Sequence, residues 1–221
     1  MPAHLLADWI IVVAAVAMAL SVIVALRYAN WTAVAREPGR MHLVAGGAVG
    51  CLLLWLLNIH LVDGLLLHFL GLTTFTLVVG WSFSVLGAAL VMAAFYALKD
   101  LGWTAYPLAV VMCIVVPATA TWLLARLLRR PGLQHPFVYM LGAGFAGGAF
   151  VMLLLSVLAL SLFWFSGQTG YLDAAAEFWP LVFMLMFSEG FINGMCVSAL
   201  AIFHPDWMKT FDDKFYLDDQ R

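Results

Sequence analysis

The chain is poor in charge. Its 221 residues carry ten Lys or Arg and twelve Asp or Glu, for a formal net charge of −2. That balance provides no basic footprint for a nucleic acid. Cysteine is scarce too: Cys51, Cys113 and Cys196 each stand in an apolar run, so neither a CxxC motif nor a disulfide framework is readable. No GxxxxGK[ST] run occurs, which excludes nucleotide binding by a P-loop; energy from ATP would have to come from another polypeptide. The first 26 residues hold Asp8 but no Lys or Arg, so they lack the basic lead of a cleaved signal peptide and read as a retained first helix.

Apolar sequence is what the chain has instead. At 65% apolar residues and a mean hydropathy of +1.03, it is an integral membrane protein. Seven apolar segments follow one another: 5–26, 41–57, 66–80, 83–98, 105–124, 137–165 and 178–203. The third is short for a crossing of roughly 20 residues. Charge nevertheless counts it as a span. With seven crossings and the N-terminus outside, Arg27, Arg36, Arg40, Arg126, Arg129, Arg130, Lys209, Lys214 and Arg221 all fall inside, and only Lys99 falls outside. A re-entrant third segment would put Arg126, Arg129 and Arg130 across the membrane from Arg27, Arg36 and Arg40, against the positive-inside rule. The expected architecture is all-α: a polytopic bundle of about seven spans over residues 1–203 in a bacterial inner membrane. A cytoplasmic tail, 204–221, interleaves aspartates with Trp207, Phe211, Phe215 and Tyr216.

Polar residues are rare enough here to be informative. His60, Asp63 and His68 lie within nine residues after the second span. Ionisable groups at membrane depth face cavities or substrate paths, and imidazole with carboxylate is a common transition-metal ligand set. Each also has a plain reading, as a loop residue or a satisfied histidine at a helix start. Removal of Met1 would leave Pro2-Ala3-His4 at the front. An amine, two deprotonated amides and the His4 imidazole then close a square plane of four nitrogens, a geometry for Cu(II) or Ni(II). In the last span Glu189, Asn193 and Cys196 recur at i+4 and i+7, one helix face. Glu189 reads either as a hydrogen-bonded clamp between helices or as part of an ion path. Gly142, Gly144 and Gly147 match GxGxxG within a span, without the strand that a dinucleotide site requires, so Gly144 and Gly148 read as a helix-packing face.

With these residues in view, the chain resembles the substrate-binding permease of energy-coupling-factor ABC transporters for cobalt and nickel. His68-Phe-Leu-Gly71 looks like that family's third-span histidine motif, and Glu189-Gly190 like the Glu-Gly of its last span. The resemblance implies a metal held by the N-terminal amine, by a close-following histidine, here His4, and by His68. The chain is a divergent relative: it begins Met-Pro-Ala-His, and its middle span lacks the family's asparagines.

The leading reading is therefore a non-enzymatic permease that captures a divalent transition metal ion (Ni, Co or Cu) as substrate. His4 and His68 would be ligands, His60 and Asp63 would stand at the entrance, and Glu189 and Asn193 would support them from within the membrane. A membrane coupling subunit and cytoplasmic ATPases would be the partners. The alternative is a non-transporting metal-binding accessory or assembly factor for a respiratory or copper enzyme. A third class, a membrane enzyme or bis-histidine haem protein, needs two facing histidines at mid-membrane, and only His68 lies near that depth.

Overall fold

A computed structural model describes residues 7–62, 65–130, 133–212 and 215–216; for 59–62 and 65–67 it describes the backbone only. Six helices are long and apolar enough to cross a membrane: Asp8–Tyr28, Pro38–Leu56, Trp81–Leu98, Trp103–Leu128, Val138–Phe165 and Trp179–Phe203. All backbone hydrogen bonds of such a helix close within the segment, which is what hydrocarbon demands. They are α1 (Asp8–Tyr28), α3 (Pro38–Leu56) and α5 (Trp81–Leu98); then α6 (Tyr106–Val110) joined to α7 (Val116–Leu128); then α8 (Gly147–Phe165), entered through a π-helical stretch; and α10 (Trp179–Phe203). Two short surface helices, α2 (Trp31–Arg36) and α9 (Thr169–Glu177), lie between spans. Asn30 caps α2 by accepting from the Ala33 amide at 3.1 Å, and Pro38 opens α3 where a missing N–H costs nothing.

π-Helical turns interrupt two of the long rods, over Val111–Val115 and Val138–Ala146. The first lies just ahead of Pro117. That residue cannot donate and would crowd the carbonyl one turn back, and a wider turn gives it room.

The third apolar segment is not a long helix. Residues Asn58–Val62 (β1) and Leu65–His68 (β2) form an antiparallel hairpin, with Asn58 opposite His68 and His60 opposite Leu66. A helix, α4, then covers only Leu72–Val79. Eight residues rise about 12 Å, well short of a hydrocarbon core of about 30 Å. Two glycines set its limits: Gly71 at φ +63° and Gly80 at φ +84° occupy conformations that side chains other than glycine rarely adopt. Leu72, Thr73, Phe75, Thr76 and Leu77 are buried, so α4 is a core element. Its threonines are satisfied across helices: Thr121 donates to Thr73 at 3.4 Å, and Thr76 donates to Ser84 at 3.2 Å.

The C-terminal ends of α1, α4 and α7 and the N-terminal ends of α3 and α5 line one common cleft. Because α3 and α5 start at the same end of the bundle, the chain between them returns from the opposite end through β2 and α4.

The glycines singled out as a packing face do pack. Gly144 approaches the Gly194 Cα, and Gly148 approaches the Glu189 carbonyl and Asn193. On the facing helix, a Cβ at Gly190 would come within 2.8 Å of the Phe145 carbonyl oxygen. Paired small residues thus let α10 lie backbone to backbone on the preceding span. Large apolar side chains such as Val16 and Leu20 on α1, or Phe183 and Phe187 on α10, are exposed, as a lipid-facing surface requires.

After α10 the chain turns back under the bundle. Met208, Phe211 and Tyr216 are buried against Leu77, Tyr139 and Val197. The Lys209 and Thr210 amides donate to the carbonyls of Val78 (2.9 Å) and Leu77 (3.2 Å), and the Thr210 hydroxyl donates to Leu77 at 2.9 Å. These bonds satisfy the open C-terminal end of α4.

Candidate functional site

The other end of α4 is closed by α10. Glu189, 1% exposed, directs its carboxylate at the start of α4, accepting from the Leu70 amide at 2.9 Å and the Gly71 amide at 2.8 Å. Asn193, one turn on, donates to the same carboxylate at 2.8 Å and accepts from the Thr74 amide (2.8 Å) and hydroxyl (2.7 Å). A carboxylate supplied by another helix thus does the work of an N-cap, in the position where the helix dipole favours negative charge. Three donors converge on it, so each of its two oxygens accepts at least one hydrogen bond. The geometry matches the clamp reading of Glu189.

Cys196 does not share this face and is exposed. The buried stripe of α10 runs through Gly190, Asn193, Gly194 and Val197, which places the i+7 position at its margin; Glu189 reaches inward because its side chain is long.

His68 stands two residues before this corner. Its Nδ1 lies 3.0 Å from the Phe69 carbonyl oxygen. A carbonyl only accepts, so Nδ1 carries the proton and the lone pair is left on Nε2, the arrangement that a metal-ligating imidazole uses. The ring is flanked by Trp55 and Phe95, with centroids at 5.6 and 6.0 Å. The Trp55 side chain is fully buried, and its indole N–H donates to the Leu70 carbonyl at 3.0 Å. Trp55 and Asn193 therefore hold the backbone on either side of Gly71, Glu189 holds it at the turn, and the Phe69 carbonyl orients the imidazole.

The remaining candidates fall largely beyond description. Pro2, Ala3, His4 and Asp63 lie outside the described residues, and for His60 only a backbone position opposite Leu66 is defined. Among the described residues, no three His, Cys, Asp or Glu side chains come together as a metal site. Sequence reasoning missed Trp55, which reads as one more tryptophan at a span end; its place one turn before the hairpin, near His68 in the chain, is the available signal.

A family model described as the cobalt uptake substrate-specific transmembrane region (CbiM) matches residues 1–207. The chain belongs to this family. The match takes in the His68–Gly71 corner and the Glu189–Asn193 clamp, and stops before Lys209 and Thr210, which close the far end of α4. Two solved structures, described as a truncated transition metal transporter and a transition metal transporter, share the fold. Each has a TM-score of 0.68 and 15% sequence identity over 93% of this chain, covering 98% and 92% of those chains respectively. No curated protein matches. In this family member the corner at Gly71 is the best-built polar site among the described residues.

Proposed function

We propose that the protein is the substrate-capture permease of a divalent transition-metal uptake system in a bacterial inner membrane. The chain crosses seven times, with α4 and its flanking strand as the third crossing, the N-terminus outside and the C-terminus cytoplasmic. His68 ligates the incoming Ni, Co or Cu ion through Nε2. The Pro2 amine, the amides of Ala3 and His4 and the His4 imidazole supply a planar nitrogen set, with His60 and Asp63 at the entrance. The chain binds no nucleotide and catalyses no reaction; cytoplasmic ATPases drive it through a membrane coupling subunit. The observation that carries this reading is the His68 imidazole, oriented through Nδ1 with its lone pair left on Nε2, beside a corner that α3 (Trp55) and α10 (Glu189 and Asn193) hold in place.

The test is metal binding by His68→Ala. An outer-shell partner is worth roughly 10–100-fold in affinity, so loss of a ligand should cost at least that for Ni(II), Co(II) or Cu(II), with thermal unfolding little changed. Unchanged affinity removes His68 from the site. A Gly inserted after Ala3 moves the histidine to fourth place and should abolish the square-planar chelate; parent-like Cu(II) and Ni(II) binding would leave His60, Asp63 and His68 to hold the ion alone.

A further inference from the structure

We propose that the cleft below α4 is a binding site for one anionic phospholipid, with its phosphate at a basic mouth and its acyl chains against an apolar wall. The cleft exists because α4 is short. A full-length span would fill the space between Gly80 and the end of the bundle; the returning chain at Trp207–Thr210 fills only part of it, leaving a cavity of about 820 Å³. Its apolar lining includes Val24, Leu43, Val44 and Phe83. Arg40, Arg126, Arg129 and Lys209 also line it, and among the described residues no Asp or Glu does.

Two of these cations are already engaged, Arg40 with Glu37 and Arg129 with Asp212. The other two are not. Arg126 lies over the Trp122 ring, 4.6 Å from its centroid, and the Lys209 stem runs beside Gly80, where a Cβ would come within 3.3 Å of Lys209 Cγ. Among the described residues, neither has an acidic partner. Trp81, Trp122 and Trp207 border the same space, as indoles do at headgroup depth. An occupant must therefore be apolar at one end and anionic at the other, and it must reach the site from within the membrane. A phosphodiester with two acyl chains meets all three conditions, and basic pockets between membrane helices bind such headgroups. An apolar helix from a partner protein would leave Arg126 and Lys209 without an anion.

The test uses the full chain reconstituted into vesicles of equal phosphatidylglycerol and phosphatidylcholine, then extracted and weighed by native mass spectrometry. One phosphatidylglycerol should be retained in preference to phosphatidylcholine. A Lys or Arg near the surface contributes roughly fivefold to attraction of anionic lipid, so Arg126→Gln with Lys209→Gln should weaken retention by roughly 30-fold. Arg126→Lys with Lys209→Arg should preserve it, which separates loss of charge from loss of fold. Ala33→Trp, which narrows the cleft with the cations intact, should weaken retention of the lipid. Equal retention of both lipids, or unchanged retention in the double Gln variant, overturns the proposal. So does a photo-crosslinker at Ala33 that captures a coupling-subunit polypeptide rather than lipid.

Discussion

Replacing Glu189 by Gln keeps the shape of the clamp and changes one atom. The carboxylate accepts from the Leu70 and Gly71 amides and from Asn193. A carboxamide retains one acceptor oxygen and places an NH₂ donor where an acceptor is needed. At least one of the three donors is then left facing another donor, at a residue 1% exposed. An orphaned buried donor costs about 1–3 kcal/mol, whereas Glu189→Ala, which strands both backbone amides, should cost about 2–6 kcal/mol. Whole-protein stabilities are about 5–15 kcal/mol, so the Ala variant approaches unfolding. The sensitive assay is amide hydrogen exchange over the peptide spanning residues 69–74. With tenfold per 1.4 kcal/mol, Gln should lower protection of the Leu70 and Gly71 amides by roughly 5- to 150-fold. Metal affinity should fall in parallel, because the Phe69 carbonyl that orients His68 moves with that turn. Parent-like protection in Glu189→Gln would show that α4 starts where it does without the carboxylate, and that Glu189 does not position His68.

Gly190→Ala should destabilise by about 1–3 kcal/mol, since its Cβ would meet the Phe145 carbonyl and Ala149 on the neighbouring span; a thermal melt within a degree of the parent would deny the close approach. Thr210→Val removes the hydroxyl bond to Leu77 and strands the buried Tyr139 hydroxyl that lies 2.6 Å from Thr210, but keeps the backbone amide bond, so a loss of about 1–3 kcal/mol is expected. A reporter fused after Arg221 should be cytoplasmic and one at Gly167 periplasmic; the opposite pair would reverse the proposed orientation.

Sequence carried the motif-bearing part of this site well. His68 with Gly71 and Glu189 with Gly190 were legible because ionisable residues are conspicuous in apolar surroundings, and the i+4 rule placed Asn193 beside Glu189. It carried the geometry poorly. Leu66 and Leu67 read as the start of a helix, yet they lie in a strand, because apolar runs specify burial more firmly than conformation. The partners of α4 were invisible for a different reason. Its first amides are bonded to side chains 118 and 119 residues away, and its last carbonyl oxygens to backbone amides that any residue type but proline would offer. Trp55 was obscured by the abundance of tryptophan at span ends.

Both closures of α4 come from chain that is made late. After the ribosome passes Val79 it must add about 110 residues before Glu189 exists and about 130 before Thr210 does, several to roughly 25 seconds at about 5–20 residues per second. During that interval a two-turn helix with bare amides at one end and bare carbonyls at the other has no stable place in hydrocarbon. Segment 65–80 must therefore wait in water, in the translocon or at the bilayer surface, while three longer helices are inserted after it. In the order of biogenesis α10 is the keystone: the third segment of the chain is seated only when the last one arrives.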